Sequence, residues 1–324
     1  MRGKILVPLD GSPLAEMVLP QAILLARTTH SSLTLLRCTT PPPLTEALVG
    51  GLPAPPEAYP NREEEAEDAR TYLAGVAARL GIQAIPVVVT VQDGDPAAAI
   101  VATAQQDPET LMIAMATHGR TGLGRWIFGS VAEKVLNAAP VPLLLVRPTK
   151  EGRPEPHPHA YKTILVPLDG SVFAEQALNQ AVEMANTTGA AIALVCVVPE
   201  LDEVAAAEMG EGPLWVLEDQ DAEVTRMTQY LKATADRLRM AGIPTETRVV
   251  VGRPAEAILE ASTQEHADLI VMATHGRSGL QRLWVGSVAL RVARNANPPV
   301  LLVRAREPAE APERKRVPAG AVTR

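Results

Sequence analysis

Aromatic side chains are scarce in this chain: three Trp, four Tyr and two Phe in 324 residues. Its core must therefore be assembled from Val, Leu, Ile and Ala. Cysteine is scarcer still. Cys38 and Cys196 lie far apart, which excludes a disulfide framework and a four-ligand zinc site. Each closes an apolar run and reads as a buried, reduced thiol. Basic charge is also short, with 30 Lys and Arg against 37 Asp and Glu, a net charge of −7. That balance argues against a surface built to grip nucleic acid. It leaves room for a local anion site, because backbone N–H groups bind phosphate without any net positive charge. Long apolar runs are missing as well. Stretches such as Ala190 to Val198 reach about half of the ~20 residues that a membrane span needs. The N-terminal aliphatics after Lys4 stop at Pro8 and Asp10, too soon for a signal peptide. A soluble, reducing, cytoplasmic setting is expected, with neither nucleic acid nor membrane as partner.

What the chain does contain, it contains twice. ILVPLDGS occurs at 5–12 and again at 164–171, and MATHGR at 115–120 and 272–277. GSVA follows at 129–132 and 286–289, and LLVR at 144–147 and 301–304. The offsets are 159 for the first pair and 157 for the rest. Identities of this length, in one order and at near-constant spacing, are a tandem duplication, and the unit is of domain rather than solenoid size. We expect a first domain at 1–150, a linker at 151–160, a second domain at 161–306 and a flexible tail at 307–324, rich in Pro, Ala and charge. His157 and His159 alternate with proline in the linker and read as solvated side chains rather than metal ligands.

Within each unit, strand and helix periodicities alternate. In the first, Ile5–Leu9, Leu33–Cys38, Val87–Val91, Leu111–Met115 and Leu143–Val146 read as strands. Helical patterns cover Pro13–Thr29, Glu63–Leu80, Pro96–Gln105 and Val131–Ala138, and a proline-rich loop runs from Pro41 to Pro60. Alternating strands and helices mean βαβ units, so the fold class is α/β: two tandem, doubly wound parallel sheets.

In such sheets ligands bind beyond the carboxyl ends of the strands. After the first strand stand Pro8, Asp10, Gly11 and Ser12, matched by Pro167, Asp169, Gly170 and Ser171. After the fourth stand Ala116, His118, Gly119 and Arg120, matched by Ala273, His275, Gly276 and Arg277. Further on come Gly129-Ser130-Val131 and Gly286-Ser287-Val288, each at the start of a helix whose free amides and dipole favour an anion. Arg120 and Arg277, with Arg125 and Arg282, are candidate sources of positive charge, and Asp10 and Asp169 are candidate acceptors for a ribose hydroxyl. Plainer readings stand beside these. Ser130-x-x-Glu133 is a capping box, although the second copy has Leu290 in place of the Glu. Asp10-Gly11-Ser12 is also a turn that caps a helix. His118 and His275 have no Ser or Cys nucleophile beside them in the motif, and Trp126 and Trp284 fall out of register between the copies, as packing residues do. A P-loop, a Gly-x-Gly-x-x-Gly fingerprint and a Gly-x-Ser-x-Gly elbow are all absent.

At these residues the chain resembles the universal stress protein family in its tandem form. The family pattern Gly-x2-Gly-x9-Gly-Ser/Thr is written here as Ala116-x2-Gly119-x9-Gly129-Ser130 and Ala273-x2-Gly276-x9-Gly286-Ser287. ILVPLDGS, Gly94-Asp95-Pro96-Ala97, Gly252-Arg253-Pro254-Ala255 and the closing LLVR segments extend the likeness over both units. The resemblance implies five-stranded sheets of order 3-2-1-4-5, paired through their last strands as a pseudo-dimer; a further homodimer is a separate expectation that no motif specifies. It implies an adenine nucleotide, ATP with magnesium or manganese, in a stress-response regulator with one site per domain. Asp10 and Asp169 would contact ribose or adenine, and Cys38 and Val197 the base through their backbone. The glycines and serines of the pattern would hold phosphate. Both units have Ala at the pattern's first Gly. A positive φ at that position would make the methyl cost on the order of 1 kcal/mol, whereas an ordinary conformation would make it nearly neutral. With no base or Lys clamp in view, the alternatives are a slow ATPase or a ligand-free scaffold presenting loops 41–62 and 199–221 to protein partners.

Overall fold

The computed structural model describes residues 3–39, 48–49, 52–53, 62–81, 84–117, 128–147, 160–200, 213–274 and 285–304. The expected linker between Glu151 and His159, with His157 and His159, and the expected tail from Glu307 lie outside the described residues.

The first half contributes β1 (Lys4–Pro8), β2 (Ser32–Thr39), a short hairpin of β3 (Leu48–Val49) and β4 (Leu52–Pro53), β5 (Val87–Asp93), β6 (Thr110–Ala116) and β7 (Leu143–Val146). The second contributes β8 (Thr163–Pro167), β9 (Ala191–Pro199), β10 (Thr245–Gly252), β11 (Leu269–Ala273) and β12 (Val300–Val303). Ten of these form one sheet in the order β10-β9-β8-β11-β12-β7-β6-β1-β2-β5. Each half therefore has the expected 3-2-1-4-5 order with parallel neighbours. At the centre β12 meets β7 antiparallel, with Val300, Leu301 and Leu302 opposite Leu145, Leu144 and Leu143.

The inner positions of β1, β6 and β8, and every position of β7 and β12, carry apolar side chains, because both faces are covered by helices. Val7, Leu33, Ile164 and Leu301 pack on one face, whereas Leu6, Ile113, Leu165 and Leu302 pack on the other. Each of these cores runs through both halves, so the seam is continuous hydrophobic interior. Polar ties reinforce it. Arg147 Nη1 donates to the Asn295 carbonyl at 3.1 Å, and Arg304 Nη1 to the Ala139 carbonyl at 3.2 Å. Tyr161, only 1% exposed, donates its hydroxyl to Gln21 Oε1 at 2.8 Å across the two halves.

Two local expectations change. The pattern over Pro13–Thr29 reads as one helix, but the chain forms two, Pro13–Glu16 and Leu19–Thr29. Pro20 is the cause. It has no N–H to donate to the carbonyl of Glu16 four residues back, and its ring clashes there. The second copy has Asn179 at that place and builds one helix, Val172–Thr188. The segment Pro41–Pro60 reads as loop, yet it contains the two-strand hairpin just described.

Tyr161→Phe would leave Gln21 without its buried donor. A drop in unfolding free energy of about 1–2 kcal/mol is expected by urea denaturation, and less than half of that in a Gln21→Ala background.

Candidate functional site

The carboxyl ends of β1 and β8 run into the two Asp-Gly-Ser turns. Asp10 Oδ1 accepts from the Ser12 amide at 2.8 Å, and Asp169 Oδ1 from the Ser171 amide at 3.0 Å. Gly11 (φ 87°) and Gly170 (φ 79°) occupy the left-handed region that side chains avoid. Ser12 and Ser171 are then helix N-caps, accepting from the Ala15 and Ala174 amides at 3.1 Å. The turn reading therefore accounts for these serines, while each Asp is held at the tip of its strand. Behind each turn the Tyr72 hydroxyl donates to Glu16 at 2.8 Å and the Tyr230 hydroxyl to Glu175 at 3.2 Å. Burial and these carboxylates push both phenols well above their ordinary range.

The strand-to-helix connection that carries the glycine pattern is latched by a threonine. Thr117 donates its amide to the Val146 carbonyl at 2.9 Å and accepts from the Gly129 amide at 2.9 Å. In the second half Thr274 donates to Val303 at 3.0 Å and accepts from Gly286 at 2.8 Å. The latch draws each helix start against the end of β6 or β11. A Cβ on Gly286 would stand 3.1 Å from the Thr274 carbonyl, so glycine suits this close approach rather than a positive φ.

Here the capping-box expectation is corrected. The helices are Ser130–Ala138 and Ser287–Asn295, and their N-caps are Gly129 and Gly286. Among the described residues no side chain caps either start, because the serine occupies the first helical position, one residue too late to reach back. The first helical amides consequently have no carbonyl of their own helix to bond to and face the strand end.

In the second half these parts surround a cavity of about 400 Å³. Of the expected residues, Pro167, Asp169, Val197, Ala273, Gly286, Ser287 and Val288 line it, and Gly170 and Ser171 do not. Val195, Met227, Ile258 and Met272 add apolar wall, and Glu223 and Thr274 add polar atoms. The helix that carries Glu223 and Met227 (Pro213–Met240) gives no sign of a site in the sequence, since its spacing is that of any core-facing helix. In the first half Pro8, Asp10, Cys38, Ala116, Gly129, Ser130 and Val131 occupy the corresponding strand ends and helix start. His118, Gly119, Arg120, His275, Gly276 and Arg277 lie outside the described residues, as do Arg125, Trp126, Arg282 and Trp284.

The alanines that replace the pattern's first glycine end β6 and β11. Among the described residues, positive φ outside glycine is confined to His30, Ala84 and His266. Ala116 and Ala273 are therefore unstrained, and the methyl costs the backbone nothing. Cys196 is buried and Cys38 half-buried. Burial and the Asp95 charge push the Cys38 thiol up to about 11. Among the described residues no group of three His, Cys, Asp or Glu gathers to hold a metal, and no helix is long and apolar enough to cross a membrane.

The family model described as the universal stress protein family matches residues 1–147 and 160–304. A universal stress protein of Methanocaldococcus jannaschii is 35% identical over 144 residues, covering 44% of this chain and 82% of that relative. One from Thermus aquaticus is 37% identical over 145 residues, covering 44% of this chain and 99% of the relative. The crystal structure of a universal stress protein from Archaeoglobus fulgidus aligns with a TM-score of 0.70 at 21% identity, covering 94% of this chain and 99% of that one. This last likeness is one of fold.

A raised thiol pKa means little thiolate. At pH 7 Cys38 should alkylate roughly a hundredfold more slowly than an unperturbed cysteine, each pH unit being a factor of ten. Its rate, followed by mass spectrometry, should climb until about pH 11.

Proposed function

Because the chain belongs to the universal stress protein family, we propose that it is an adenine-nucleotide-binding regulatory protein with one site in each half. The observation that carries this reading is the helix start at Gly286-Ser287, whose glycine N-cap provides no side-chain cap, open on the same cavity as Asp169 and the end of β9. The cavity of about 400 Å³ falls within the range of small-molecule sites, which join apolar walls to a few polar groups.

The parts divide the work by chemistry. The first amides of Ser130–Ala138 and Ser287–Asn295, which have no carbonyl of their own helix to bond to, are donors for phosphate oxygens, and the helix dipole adds attraction for negative charge. Asp10 and Asp169 are acceptors for ribose hydroxyls or the adenine amine. The ends of β2 and β9, at Cys38 and Val197, give the base an apolar edge with backbone groups in reach. ATP fits this division because it presents an apolar ring, a diol and a polyphosphate in sequence. Magnesium or manganese would arrive with the phosphates. The same reading takes 1–150 and 161–306 as the two nucleotide-binding domains, in a cytoplasmic protein whose partner contacts change with nucleotide. Homodimerisation belongs to that proposal.

Ser130→Asp and Ser287→Asp discriminate well, because a carboxylate at a helix start suits the fold yet repels a bound phosphate. By calorimetry, wild type should bind two ATP per chain, each single variant one, and the double variant none within a tenfold weaker range. Asp169→Ala should weaken the second site at least tenfold. Two undiminished sites in the double variant would reject these helix starts as the place where phosphate sits.

A further inference from the structure

The antiparallel seam has a geometric consequence for the two helices that start at the sites. Because β7 and β12 run in opposite directions, the carboxyl ends of the two sets of strands lie at opposite ends of the sheet. Each site helix runs back antiparallel to its own strands, so it begins at its own site and its last turn arrives beside the other one. Position 137 of the first helix corresponds to 294 of the second, and Phe128 corresponds to Val285, both at the 157-residue offset.

These corresponding positions touch reciprocally. Asn137 Oδ1 accepts from the amide of Val285, the residue just before Gly286, at 3.4 Å. Its own Nδ2 donates to the Glu133 carbonyl at 2.9 Å, which fixes the amide's orientation. In the other direction Arg294 lies over the ring of Phe128, the residue just before Gly129, with its guanidinium carbon 5.6 Å from the centroid. Arg294 Nη2 also stands 3.5 Å from Glu133 Oε1. Phe128 is only 7% exposed, so the junction that Arg294 covers is packed. The helix ends are tied across the seam too, by the Arg147 and Arg304 bonds to the Asn295 and Ala139 carbonyls.

We propose that the two sites are positively coupled through this reciprocal brace: a ligand on one helix start fixes that helix, and the far end of the helix fixes the junction that forms the other site. The proposal rests on the nucleotide reading above and adds its regulation. Neither brace residue is among those lining the second-half cavity, and both touch the junction before a helix start rather than the helix start itself, so both act by positioning. A second ligand then meets a junction already ordered by the first, and part of its ordering cost is gone. A nine-residue helix of about 14 Å is short enough to transmit such a constraint without bending. The identities differ, Asn137 against Arg294, because one reaches a backbone amide and the other an aromatic face. The corresponding positions still perform the same task.

Native mass spectrometry with ATP at sub-saturating concentration tests this, because it counts chains holding none, one and two nucleotides. Unequal but independent sites always give fewer doubly loaded chains than a binomial distribution, so an excess is diagnostic. Wild type should show that excess, with the second step at least about fivefold tighter than the first after statistical correction. Asn137→Ala combined with Arg294→Ala should still fill both sites but lose the excess. Lys134→Ala, on the same helix but paired with Asp95, should keep it. Independent filling in wild type, or an excess that survives the double variant, would overturn the coupling and leave nucleotide binding standing. Failure to bind at either site would remove both.

Discussion

The antiparallel contact between β7 and β12 is the constraint on which the rest of this molecule depends. Leu143, Leu144, Leu301 and Leu302 are each no more than 2% exposed. Neither half could leave such a strand as an edge without offering a flat, apolar template for aggregation. Joining the two copies covers both edges at once and merges the cores on each face of the sheet. It also fixes where the chemistry stands. With the strands reversed at the seam, the two sets of carboxyl ends face opposite ways, and the helices from Ser130 and Ser287 span the distance between them.

Around that frame the two copies preserve tasks rather than residues. The helix Pro96–Gln106 is tied to Ser130–Ala138 by Asp95 and Lys134 at 3.1 Å, and its counterpart Pro254–Gln264 to Ser287–Asn295 by Glu256 and Arg291 at 2.7 Å. Both pairs are exposed and contribute little to stability by themselves. Asp95 also caps its helix through the Ala98 amide, which with Lys134 holds its carboxyl below the usual carboxylate range. Arg253, at the matching N-cap, makes no such bond. Met227 stands where the first copy has Ala69, so the walls of the two sites are not identical.

Much of this was legible in the sequence because duplication reveals what each copy repeats. The strand-end position of Asp10 and Asp169 and the helix starts at Gly129 and Gly286 follow from repeated motifs and from the rule that sheets bind ligands at carboxyl ends, whereas the strand order follows only from the family resemblance those motifs carry. What was not legible depends on single atoms or on distant segments. Pro20 breaks a helix whose apolar spacing is unbroken, because periodicity records side chains and not the missing N–H. The serines at 130 and 287 read as caps, since a shift of one residue does not alter the pattern. Glu223 and Met227 enter the cavity from a helix about fifty residues away in sequence from either motif. Arg294 meets Phe128 only because the seam reverses one half against the other.

The main-chain amides at the two helix starts are the groups proposed to receive phosphate. Amide chemical shifts followed during an ATP titration report on those groups directly. Saturable movement concentrated at Ser130, Val131, Ser287 and Val288, the amides beyond the threonine latch, with adenosine alone leaving them nearly still, is the expected result. Shifts confined to other parts of the chain, or equal responses to ATP and adenosine at these four residues, would contradict it.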